Sequence, residues 1–121
     1  MRFVATMFVL LAIIIVPVAV RAHAFLDHAD PAVGSTVPTA PPVVHIWFTQ
    51  ELEPAFSWIR VTDKAGAAVS DGPSAVDPTN NQEMDIKLKP LPPGTYTVKW
   101  HALSVDTHTT QGDFTFQVKG S

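Results

Sequence analysis

There is no cysteine anywhere in the 121-residue sequence, which excludes disulfide cross-links, thiol nucleophiles and thiolate metal sites at once. Methionine is nearly as scarce. After residue 22 only Met84 remains, so a thioether site for a soft ion is not available either. Basic residues are few: Arg2 and Arg21 fall in the first 22 positions, leaving six Lys or Arg against eleven Asp or Glu, a formal charge of −5 for residues 23–121. With no basic patch to hold phosphates, nucleic acid and anionic membrane surfaces are excluded as partners. Room for long helices is lacking too, because ten of the eleven prolines follow residue 22 and fall between short apolar stretches. The length suits one domain and excludes a two-domain enzyme.

What is present begins with Arg2 and an apolar run from Phe3 to Val20 in which Thr6 is the only polar side chain. This is the pattern of a secretory signal, and Pro17 with the small residues after it favours cleavage over retention as an anchor. Residues 1–22 are therefore expected to be removed, leaving a domain at 23–121 in the periplasm or at the cell exterior. Two cuts satisfy the small-residue rule: Val20-Arg21-Ala22 directs cleavage before His23, and Ala22-His23-Ala24 directs it before Phe25.

Runs of β-branched and aromatic residues follow, at Val43 to Thr49, Ser57 to Thr62, Met84 to Leu88, Thr95 to Leu103 and Asp113 to Val118. These are predicted strands. Alternation is clearest where Tyr96, Val98, Trp100 and Ala102 share one face, and it repeats in Phe114, Phe116 and Val118. With a strand near Phe25 and a short one near Val69, about seven strands are expected. The fold class is thus all-β, a Greek-key sandwich or barrel of immunoglobulin-like or cupredoxin-like type. The segment Leu91-Pro-Pro-Gly-Thr-Tyr96 suits a tyrosine corner, and the polar stretch Ser70 to Gln82 is expected to be a long loop.

Chemistry must come from the histidines and nearby carboxylates. Asp106-Thr107-His108 is the tightest constellation, since residues two apart in an extended segment point to one side and can converge on one ion. The same residues also suit a polar loop in which Asp106 caps a turn and His108 faces solvent. Cleavage before His23 would free its α-amine, which together with imidazole Nδ1 can chelate a metal. With His108 and Asp106 this makes three nitrogens and one oxygen, a tetragonal set for Cu(II) that Zn(II) would accept as a tetrahedron. His28, His45 and His101 are expected at the surface or packed, as are Trp47, Trp58 and Trp100 in the core or rim.

Taken in order, His23-Ala-Phe-Leu, Asp30-Pro-Ala-Val-Gly34, Val43 to Thr49, Leu91-Pro-Pro-Gly-Thr-Tyr-Thr-Val-Lys-Trp100, Ser104-Val-Asp-Thr-His108 and Gly112-Asp-Phe-Thr-Phe116 resemble the CopC-type copper-resistance and copper-homeostasis proteins. The resemblance covers essentially the whole of 23–121. It implies a cut before His23 and a Cu(II) site of His23, Asp106 and His108, with one copper ion per chain. Some members hold Cu(I) with methionines in a loop that corresponds to Asp63 to Val76, which has none, so the Cu(II)-only version is expected. Some members also place a glutamate near the site, where this sequence has Gln50 with Glu51 beside it.

The resemblance implies a monomeric binding protein, not an enzyme, that buffers Cu(II) or delivers it to a CopD-type inner-membrane copper transporter. A copper oxygenase with a histidine brace and a metal-free immunoglobulin-like module are the alternatives. Mass spectrometry of the exported protein is expected to give a chain starting at His23. A start at Phe25 would remove the copper reading with it.

Overall fold

The alternating apolar positions of the sequence line the interior of a two-sheet sandwich. A computed structural model describes residues 24–120; segment 1–22, His23 and Ser121 lie outside the described residues. Its strands are β1 (Leu26–Asp30), β2 (Thr36–Val37), β3 (Val43–Phe48), β4 (Trp58–Thr62), β5 (Ala75–Asp77), β6 (Asn80–Lys87), β7 (Gly94–Leu103) and β8 (Thr109–Val118). They form two four-stranded sheets, ordered β1-β3-β6-β5 and β2-β8-β7-β4. Only β5–β6 and β7–β8 are hairpins between sequence neighbours, and every other connection crosses from one sheet to the other. The sole helical segment among the described residues is the 3₁₀ turn Pro54–Phe56.

The first sheet turns Val44, Ile46, Phe48, Met84 and Ile86 inward, and the second answers with Ile59, Val61, Tyr96, Val98, Trp100, Ala102, Phe114, Phe116 and Val118, all buried. Each such side chain contributes about 1.5–3 kcal/mol of transfer free energy, and with no cross-link the fold rests on this layer. Trp100 meets Phe48 edge to face across it, ring centroids 5.3 Å apart. The expected tyrosine corner is present: the buried Tyr96 hydroxyl donates to the Pro92 carbonyl. That burial, with the charge of Asp63, raises the Tyr96 pKa.

Two expectations are corrected. The loop predicted from Ser70 to Gln82 contains β5 and the first residues of β6, which pair as a hairpin around Pro78. Their exposed side chains are polar because the outer face meets water, so no apolar run marks them. The strand placed near Val69 is instead a bridging segment: Ala68 pairs with Thr62 and Ser70 with Leu88 as isolated bridges.

The β7–β8 hairpin is in unbroken register from Gly94 opposite Val118 to Leu103 opposite Thr109, which carries Ser104–His108 out to one end of the sandwich. Within it Gly112 faces Trp100, and a Cβ at that position would lie 2.7 Å from Trp100 Cζ2. The indole is held by Phe48 and cannot yield cheaply. Gly112→Ala is expected to destabilise the fold by about 1–3 kcal/mol, seen as a lower denaturant midpoint at constant slope. An unchanged midpoint would refute this account of the packing.

Candidate functional site

Ten residue pairs of hairpin leave the chain to reverse between Leu103 and Thr109, and this reversal overrides the extended conformation expected for Asp106-Thr107-His108. The segment is a turn. Thr107 N–H donates to the Ser104 carbonyl at 2.9 Å, and Ser104 N–H to the His108 carbonyl at 3.0 Å. Thr107 adopts φ 74°, a left-handed conformation that costs a β-branched residue about 1–2 kcal/mol. Asp106 and His108 still converge, through the turn and not through strand alternation, with His108 Nδ1 3.5 Å from Asp106 Oδ1.

Ser104 organises this geometry from beneath, being only 1% exposed. Its hydroxyl donates to Asp106 Oδ1, and its Oγ accepts the His108 N–H at 3.3 Å. The Ser104 bond is the main reason that the Asp106 carboxyl titrates below the usual range; partial desolvation opposes it, and the bond and charge of His108 reinforce it. Asp106 and His108 themselves stay accessible, at 37% and 53% side-chain exposure. The Val105 N–H reaches the Glu51 carbonyl at 3.1 Å, so the main chain of Glu51 supports the turn while its side chain is exposed.

The start of the described chain is fastened to the same end. Ala24 is fully buried, and its carbonyl accepts from Thr110 Oγ1, two residues beyond His108. Phe25 N–H donates to Thr49 Oγ1 at 3.0 Å and its carbonyl accepts the Thr49 N–H at 2.8 Å, fixing the chain against the end of β3. His23, the remaining residue expected at the site, lies outside the described residues.

Other candidates fall elsewhere. His28 stacks on Trp47 with centroids 4.4 Å apart, and the half-buried His45 flanks the same indole at 5.7 Å. On the opposite sheet His101 stacks on Trp58 at 5.5 Å, donates its Nδ1–H to the Phe56 carbonyl at 3.1 Å, and shares Trp58 with Arg60. Met84 is wholly buried, so its thioether presents no surface donor. Ser104, Thr49 and Thr110 escaped the sequence reading. The spacing of Ser104 to Asp106 is a hydroxyl-turn pattern that could have revealed the first, but Thr49 and Thr110 act on backbone 24 and 86 residues away and leave no local signal.

The CopC domain model matches residues 26–119. Protein YobA of Escherichia coli K12 is 36% identical over 102 residues, 84% of this chain and 82% of that protein. Copper resistance protein C of Pseudomonas syringae pv. tomato is 34% identical over 105 residues, 82% of each chain. The crystal structure of CopC from Methylosinus trichosporium OB3b is similar with a TM-score of 0.71 at 31% identity, covering 80% of this chain and 94% of that one.

The role of Ser104 is testable through pH. A carboxyl whose pKa is lowered in the folded state stabilises the fold above its unfolded pKa, and that contribution is lost as the pH falls through the folded value. Ser104→Ala should raise the Asp106 pKa in an NMR titration. The stability gap between parent and variant should be widest near neutral pH and narrow in acid. A gap independent of pH would refute the Ser104–Asp106 bond.

Proposed function

The chain belongs to the CopC domain family, and from that membership we propose that it is an exported carrier holding one Cu(II) ion with His23, Asp106 and His108. Copper resistance is the function that its relatives named copper resistance protein C indicate. The observation that carries the finer reading is the fastening of Ala24 to Thr110 at the very end where Asp106 and His108 meet. Residue 23 is one peptide unit, about 3.8 Å in Cα separation, from that anchored alanine. A chain cut before His23 would start one residue from that anchor, which supports a site in which its amine and imidazole share an ion with Asp106 and His108.

The donor chemistry agrees with the cargo. Two imidazoles, an amine and a carboxylate oxygen are hard-to-borderline ligands suited to Cu(II), and no accessible thioether or thiol competes for Cu(I) among the described residues. Ser104 pre-orients the carboxylate, which lowers the ordering cost of capture. Exposure of Asp106 and His108 leaves a face from which an incoming ligand can take the ion, as a carrier delivering to a CopD-type membrane transporter requires. An oxygenase acting on a polymer would need a broad substrate face; Trp47 and Trp58 lie on opposite sheets and do not form one.

The roles of the ligands predict an order of effects. Acetylating the amine, or adding one residue before His23, removes a donor and breaks the chelate, so it should weaken Cu(II) binding most. His108→Ala should follow closely, and Asp106→Ala, which removes one oxygen, should cost least. Affinity should fall with pH, because imidazoles with pKa about 6.5 and an amine with pKa about 8 must lose protons to bind. Competition titration against a chelator at two pH values checks all of these. Unchanged affinity after amine blocking, with loss in Asp106→Ala, would overturn the assignment.

A further inference from the structure

The outer face of the first sheet carries a second convergence of ligand-type side chains, remote from the Ser104–His108 turn. β3 and β6 are the two central strands of that sheet, and their register sets His45 opposite Asp85 and Trp47 opposite Glu83. His45 Nδ1 lies 2.6 Å from Asp85 Oδ1 and 3.7 Å from Glu83 Oε2. One donor atom from each of the three residues falls within a 4.8 Å cluster. The side chains are 35%, 28% and 14% exposed for His45, Asp85 and Glu83, which marks a partly desolvated group and not a solvated surface fringe. Among the described residues no lysine or arginine forms an ion pair with either carboxylate. Burial and the neighbouring charges of Asp85 and Asp77 raise the Glu83 pKa, so a cation placed among these side chains would relieve the repulsion between carboxylates.

We propose that His45, Glu83 and Asp85 form a second metal site, for a borderline divalent ion of the Zn(II) class. Donors bound tetrahedrally at about 2.0–2.2 Å stand roughly 3.3–3.6 Å apart. The observed separations of 2.6 and 3.7 Å bracket that spacing, and an ion would replace the His45–Asp85 hydrogen bond and open that pair by about 0.7–1.0 Å through side-chain rotation. One imidazole nitrogen and two carboxylate oxygens are a zinc donor set that leaves a fourth position open. A groove of about 440 Å³, lined by His45 and Asp85 with Val43, Asp71, Pro73 and Lys87, gives water and the ion access to it. Because ladder hydrogen bonds on both sides hold β3 and β6, the ligands are positioned by strand register and not by a mobile loop. Cu(II), higher in the Irving–Williams order, would also bind these atoms, with fewer nitrogens than the set proposed at the chain start.

Calorimetric titration of the exported protein with Zn(II) alone separates the two sites. Two classes of binding are expected. Glu83→Gln and Asp85→Asn, which preserve side-chain shape, and His45→Ala should each weaken one class by about tenfold or more and leave the other intact. Asp106→Ala and His108→Ala should affect only the other class. Thermal melts establish that each variant is folded, and NMR shifts of the His45 ring on adding Zn(II) give a direct readout in the parent. Loss of Zn(II) binding in the turn variants alone, with the His45 ring unmoved in the parent, would overturn the sheet site. Loss in the sheet variants alone would uphold it and count against the turn.

Discussion

Everything in this molecule depends on apolar contact between two sheets that no disulfide joins. Without cysteine, the layer formed by Ile46, Phe48 and Met84 against Val98, Trp100 and Phe116 must supply the cohesion that small exported domains commonly draw from cross-links. That demand explains the long β7–β8 hairpin, whose inward positions from Tyr96 to Trp100 and from Phe114 to Val118 are all large and apolar. It also explains why chemistry is pushed outward. Among the described residues, titratable side chains other than Tyr96, whose hydroxyl is bonded to Pro92, occur at the ends of the sandwich or on its outer faces, and the serines Ser57 and Ser104 are buried polar side chains.

The turn at the hairpin tip shows how a rigid core lends its precision to a surface. Ser104 is buried and directly follows the last residue of β7, so its hydroxyl translates strand register into the placement of a carboxylate. The left-handed Thr107 stores backbone strain at that point, and the neighbouring hydrogen bonds hold it there. Thr49 and Thr110 then bring the chain start to the same end, one from each sheet. Separate stretches of sequence, far apart along the chain, are thereby made neighbours by hydroxyl-to-backbone contacts.

Which parts were legible in the sequence follows from how local their physics is. Period-2 alternation revealed the inward faces of β7 and β8, and Pro92 to Tyr96 revealed the corner, because each is decided within a few residues. β5 and the start of β6 were hidden, since an outer polar hairpin has the composition of a loop. Asp106 and His108 are legible as a pair, and the turn that brings them together matches the polar-loop alternative and not the extended segment. The grouping of His45 with Glu83 and Asp85 had no signature at all, because register across two strands some forty residues apart created it.

Met84 adds a consequence of its own. It is the one thioether after residue 22, and it sits at zero exposure between the sheets. A redox-cycling ion generates peroxide and radicals in its vicinity, and methionine sulfur is among the first groups to be oxidised when solvent can reach it. Conversion to the sulfoxide would put a polar, larger group into the densest part of the interior. Seclusion of that sulfur makes the sandwich durable beside the cargo proposed for it: the atom most vulnerable to oxidation is the one the fold seals away.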